Sequence, residues 1–171
     1  MSASTVDERI QILANGVRLV RLEGDDSAWL REYAPILRVA AKDFLTRGRQ
    51  PGEAERVVGE LADALMHGGA VWLVVDSQYR LLGFASARLR QAAWSSALLA
   101  EFPCAYMYPR KSPRAAFPAL FAAMLDWARA AGATSALYTT RRTEDRALRK
   151  LTGATRVAAI YEFPLEDASH G

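Results

Sequence analysis

The sequence is short of the side chains that most often carry covalent or metal chemistry. Among 171 residues there is one cysteine, Cys104, and there are two histidines, His67 and His170. A lone cysteine excludes an internal disulfide and a CxxC metal site. It is compatible with a reducing compartment, and the expected location is cytoplasmic. His170 falls in a polar tail, DASHG, so neither a histidine-based zinc site nor a Ser-His-Asp triad is expected. No stretch approaches the roughly 18 apolar residues of a membrane span. Residues 1–10 lack the basic-then-apolar pattern of a secretory leader. A net charge of +3 excludes a strongly basic nucleic-acid binder by composition. What is present is an ordinary globular profile, 51% apolar and 24% charged, long enough for one domain with a sizeable core.

Periodicity and punctuation divide the chain. Thr5 and Glu8 form a capping box and Asn15-Gly16 a stop, so a short helix is expected between them, with Ile10 and Leu13 on one side. Residues 17–22 alternate as a half-buried strand. Trp29, Tyr33, Ile36, Leu37, Ala40 and Phe44 follow helical spacing, with Pro35 expected to kink or split the helix. A loop over 46–53 precedes a second helix carrying Val57, Val58, Leu61, Ala62 and Leu65. Residues 71–75, VWLVV, read as a buried strand that forms a hairpin with 81–90. A third strand covers 98–108, with Pro103 marking a bulge. Phe117, Leu120, Phe121, Met124, Leu125 and Ala128 then form one wide apolar helix face. A strand at 135–139, a charged helix at 143–151 and a strand at 156–163 complete the order. A strand, a long helix and another strand imply a parallel crossover between 98–108 and 135–139.

This order, with several local matches, resembles the GNAT family of acyl-CoA-dependent N-acyltransferases over nearly all of residues 17–165. "VVDSQYRLLGFASARL" resembles the family's strand–turn–strand, ending in the apolar-Gly step Leu82-Gly83. "AEFPCAYMYP" resembles the strand that carries a glutamate and ends in an aromatic, an aliphatic and a proline, here Glu101, Tyr106, Met107 and Pro109. "LFAAMLDWARAAGA" and "ALRKLTGA" resemble the two helices that follow. The resemblance implies a single-domain α/β fold with a mixed, mostly antiparallel sheet, a central parallel β-α-β crossover and helices on both faces. Residues 1–16 would be a capped helical extension, 17–165 the domain, and 166–171 a flexible tail.

It also implies a chemistry: transfer of an acyl group, with acetyl-CoA or another acyl-CoA as cofactor, to an amine of a small molecule or protein. No membrane or nucleic-acid partner is expected, and a homodimer is left open. Glu101 would be the base, and the backbone N–H near Met107 would polarise the thioester carbonyl. The pyrophosphate cradle would lie at the helix entrance YPRKSPRAAF. The family's loop, Gln/Arg-x-x-Gly-x-Gly/Ala, fits in two frames, Ser112 to Phe117 or Arg110 to Ala115. Arg110, Lys111, Ser112, Arg114, Ala115, Ala116 and Phe117 are therefore the cofactor candidates. Both frames lack glycines, and Pro113 and Pro118 have no N–H to offer a phosphate. The late helix, EDRALRKLTG, lacks the tyrosine that often protonates the leaving thiolate in the family. A GNAT-like domain without catalysis, serving as a binding or assembly module, is the alternative. A second basic cluster, Arg141 to Lys150, reads as a solvated helix face or, as a third reading, an RNA-facing surface.

Overall fold

The computed structural model describes residues 9–13, 16–48, 52–92 and 95–138. All of them lie in the compact unit Met1–Arg141. The helix expected at 143–151, the strand at 156–163, the second basic cluster and the tail lie outside the described residues.

Six strands form one sheet: β1 (Ile10–Ile12), β2 (Arg18–Glu23), β3 (Ala70–Val75), β4 (Leu81–Gln91), β5 (Leu98–Met107) and β6 (Ser135–Tyr138). They neighbour one another in sequence order. Every pairing is antiparallel except β5 with β6, which is parallel. Three helices complete the unit: α1 (Ser27–Gly48), α2 (Ala54–Met66) and α3 (Ala116–Ala130). The α3 crossover between β5 and β6 is the connection expected from the sequence.

The two faces are covered by different helices. On one, Leu37 of α1 and Leu61 and Leu65 of α2 pack on Leu22, Leu73, Phe84 and Tyr106. On the other, Trp127 of α3 meets Trp72 edge-on at 5.9 Å, and Phe121 meets Phe102 at 5.8 Å. β3 sits mid-sheet and is buried along its whole length, which is why its sequence is continuously apolar rather than alternating. Each fully buried leucine or phenylalanine here contributes about 1.5–3 kcal/mol relative to exposure.

One expectation is corrected and another is narrowed. Residues 10–12 are strand, not helix, with Ile10 opposite Val20 and Ile12 opposite Arg18. Asn-Gly is as strong a hairpin signal as a helix stop, and Gly16 takes φ 71° while the Leu13 N–H donates to the Val17 carbonyl at 2.7 Å. The free edge of β2 settles the competition. Pro35 does not split α1, which runs through it. Pro35 and Arg31 both lie on the exposed side, so the carbonyl that proline leaves unpaired faces water.

Candidate functional site

The site is built where β5 bends. β5 pairs with β4 in two stretches, Leu98–Glu101 with Arg88–Gln91 and Cys104–Met107 with Gly83–Ser86, with a register shift between them. Phe102 and Pro103 thus stand opposite the single residue Ala87, a β-bulge of the kind that bends its strand. The bulge keeps Glu101, Cys104 and Tyr106 on the face covered by α1 and α2, while Phe102 faces α3. β6 pairs with β5 only on the near side of the bulge, from Leu99 to Phe102. Among the described residues, Pro103–Met107 has no strand partner on that edge.

The direction of the amides on this open edge follows from the ladder. Tyr108 N–H donates to the Leu82 carbonyl at 2.8 Å. In an antiparallel pair, bonded residues alternate with residues whose N–H and C=O point away. Cys104 and Tyr106 therefore bond to β4, and the amides of Ala105 and Met107 point to the open edge. Gly83 permits this approach, because a Cβ there would overlap the Tyr106 carbonyl and the Met107 sulfur.

The entrance loop continues from Tyr108. Ser112 N–H donates to the Tyr108 carbonyl at 3.2 Å, and its hydroxyl donates to the Leu82 carbonyl at 3.0 Å. Ser112 therefore pins the loop to β4 and does not cap α3, whose N-cap is Ala115. Arg110 adopts φ 68°, a left-handed conformation usually left to glycine. The Ala116 N–H is spent on the Pro113 carbonyl at 3.0 Å, and Ala116 is buried. Among the described residues, the amides of Arg114, Ala115 and Phe117 have no backbone acceptor. Pro118 falls in the first helical turn, where a missing N–H costs no intrahelical bond. The Phe117 ring turns toward Phe121, 6.0 Å away. Arg110, Lys111 and Arg114 are exposed, and Lys111 Nζ lies 5.0 Å from the Tyr108 ring centre.

No protein-family model and no curated protein matches the sequence. Solved structures do match. An aminoglycoside acetyltransferase from an uncultured soil metagenomic sample, in complex with trehalose, is 14% identical with a TM-score of 0.64, over 90% of this chain and 99% of that one. Glucosamine-6-phosphate N-acetyltransferase from Arabidopsis thaliana is 7% identical with a TM-score of 0.64, over 88% and 99%. An acetyltransferase of Trypanosoma brucei is 14% identical with a TM-score of 0.59, over 87% and 99%. The fold is GNAT-like.

Within this GNAT-like fold, two carboxylates lie on the face of β5 under α1 and α2. Glu101, directly opposite Arg88, receives Arg88 Nε on Oε2 at 3.0 Å and pairs with Arg90 through Oε1. Arg88 also reaches Glu60 of α2 at 2.9 Å. The hydrogen bond to Glu101 holds the Arg88 guanidinium above its already high value. The second carboxylate, Asp43 of α1, receives the Tyr106 hydroxyl and Arg47 Nε, the latter at 2.7 Å, both on Oδ2. The Tyr106 hydrogen bond, then that of Arg47, holds the Asp43 carboxyl below its ordinary value. Burial, then Asp43, pushes the Tyr106 phenol well up. Burial likewise raises the Cys104 thiol to about 11, so this cysteine is inert at neutral pH.

The structure thus brings Met107, Arg110, Lys111, Arg114, Ala115 and Phe117 to one end of the sheet. Glu101 lies on the other side of the bulge, and Ser112 and Ala116 are spent within the loop. Ala105 was not singled out in the sequence; its signal was the alternation it shares with Met107. Arg88, Glu60 and Asp43 were also missed. A groove of about 590 Å³ between α1 and α2, lined by Arg38, Lys42, Thr46 and Glu53 among others, involves none of these site residues. Among the described residues, no group of three or more His, Cys, Asp or Glu is placed to hold a metal ion, and no helix is long and apolar enough to cross a membrane.

Proposed function

We propose that the chain is an acyl-CoA-dependent N-acyltransferase that transfers an acetyl group to a primary amine. The observation that carries this reading is the edge of β5 beyond the bulge, unpaired among the described residues, where two outward amides, Ala105 and Met107, lead into a loop bearing three exposed cations. Such an edge suits a long ligand with amide groups at one end and phosphates at the other.

The residues present fit acyl-CoA, with a reduced cradle. Arg110, Lys111 and Arg114 and the amides of Arg114, Ala115 and Phe117 would hold the diphosphate through charge-assisted bonds. Pro113, Pro118 and the engaged Ala116 amide subtract three donors from the same turn. At about 1.5–3 kcal/mol for each charge-assisted bond, every lost donor that would have faced phosphate weakens binding by about one to two decades. Bound acyl-CoA supplies an acyl carbon activated as a thioester. The chain's contribution is a pair of preorganised donors, Ala105 and Met107, available to a carbonyl oxygen as negative charge builds on it. Tyr106 of β5, Tyr108 just beyond its end and Lys111 would border the incoming amine.

Calorimetry with acetyl-CoA and with CoA tests this reading. Saturable uptake of one molecule per chain is expected, weakened at least tenfold in Arg110→Ala/Arg114→Ala; no heat at millimolar ligand overturns it. The second reading, a non-catalytic module on the same fold, is favoured by the three missing cradle donors. It predicts that acetyl-CoA either fails to bind or binds without release of free thiol in the presence of any amine tried.

A further inference from the structure

The carboxylate that the sequence marks as a base sits in an unusual setting. Both oxygens of Glu101 face guanidinium groups: Oε2 accepts a hydrogen bond from Arg88 Nε and Oε1 is ion-paired with Arg90, and its side chain is only 22% exposed. A base that takes a proton from an amine needs an oxygen turned toward that amine. Here each oxygen is already turned toward a neighbouring strand.

The place of these pairs matters as much as their number. Arg88 and Glu101 are the first opposed residues on the near side of the bulge. Arg88 also ties β5 to α2 by charge, through Glu60 at 2.9 Å. Ala87, the single residue facing the bulge, is backed by Gly69, where an added Cβ would overlap the Ala87 and Ala64 carbonyls. The Gly69 N–H donates to the Ala64 carbonyl at 2.7 Å, closing α2 against the sheet at that point. The bulge is the weakest part of the ladder, since one of its residues is unpaired and Pro103 has no N–H to give. It is therefore held by charge on one side and by close backbone packing on the other.

We propose that Glu101 is a positioning residue: with Arg88, Arg90 and Glu60 it forms a charged clamp that fixes the bulge and so aims the Ala105 and Met107 amides. The inference rests on the acyltransferase reading for its purpose, but the clamp itself has its own test. Arg88 is the member that no other residue replaces, because its fork reaches two carboxylates at once.

The test compares wild type with Arg88→Met, Arg88→Lys and Glu101→Gln by amide hydrogen exchange and acetyl-CoA calorimetry. The clamp predicts that Arg88→Met speeds exchange at Cys104 and Tyr106 by tenfold or more while Val71 to Leu73 of β3 stay within twofold. Acetyl-CoA affinity falls about tenfold in the same variant. Arg88→Lys, a single point charge, lies between, and Glu101→Gln moves both readouts in the same direction. Exchange that stays at the wild-type rate at Cys104 and Tyr106, or that rises equally through β3, overturns the clamp. So does a Glu101→Gln chain that matches wild type in exchange and affinity yet loses turnover, which is the behaviour of a base. A wild-type chain that takes up no acetyl-CoA removes the acyltransferase reading and leaves the exchange comparison to decide the clamp.

Discussion

Glu101 and Asp43 lie on the same side of the sheet, on either side of the bulge, and are held in opposite ways. Glu101 shares its load, one arginine on each oxygen. Asp43 stacks its load on Oδ2, which takes both the Tyr106 hydroxyl and Arg47 Nε, and among the described residues Oδ1 has no partner. The first arrangement uses up a carboxylate as a strut. The second fixes a carboxylate while leaving one oxygen able to accept another hydrogen bond. A carboxylate's chemical availability is thus set by how its lone pairs are distributed, more than by which strand or helix carries it.

The comparison can be broken most forcefully at Gly83. Gly83→Ala pushes a methyl into the Tyr106 carbonyl, and a backbone atom cannot swing aside. A loss of about 1–3 kcal/mol is expected from overpacking, read as a fall in Tm, with the Asp43 end disturbed and the Arg88–Glu101 pair intact. An unchanged Tm would mean that β5 has slack at this end. A smaller effect follows from Tyr106→Phe, which deletes one hydrogen bond of about 0.5–1.5 kcal/mol and spares the packing. Because that bond is the leading cause of the depressed Asp43 carboxyl, its removal should raise the Asp43 titration midpoint in a carboxyl NMR titration.

The pH dependence sharpens the same contrast. Asp43 titrates lower in the folded chain than unfolded. Its contribution to stability is therefore present above its ordinary value near 3.9 and is lost as pH falls through the depressed one. Tyr106→Phe should flatten this acid limb of a urea-unfolding series. Tyr106 and Tyr108 titrate higher in the folded chain, so their contribution is present below about pH 10 and fades as pH climbs above it. Tyrosinate absorbance from Tyr106 should then appear only with alkaline unfolding. The smallest effect expected is at Cys104, between the two carboxylates. Its buried thiol, raised to about 11, should not react with an aromatic disulfide reagent at pH 8 until urea exposes it.

Much of this was legible in the residues. VWLVV announced a buried strand because a mid-sheet position leaves no face for polar side chains. Pro103 announced the bulge because proline cannot serve a regular ladder, and the apolar face of α3 announced the crossover. What escaped depended on distant partners. Residues 10–12 could alternate as a strand or stop as a helix, and only the open edge of β2 decides. Ser112 followed by Pro113 has the residue types of a helix cap and first turn, yet the serine hydroxyl is claimed by Leu82, 30 residues earlier. Asp43 and Tyr106 are 63 residues apart. Arg88 meets Glu101 only because the bulge sets that register, so the strut could not be read before the strand was folded.

The surplus residue in β5 also makes fold and function separable. Removing Pro103 alone would place Phe102 opposite Ala87 and leave Cys104 opposite Ser86, an unbroken ladder with every side chain on its present face. The strand would straighten. Such a shortened chain should keep its hydrophobic core while losing the bend on which the proposed acyl-CoA uptake depends, so that a single deleted codon leaves the scaffold and removes the binding.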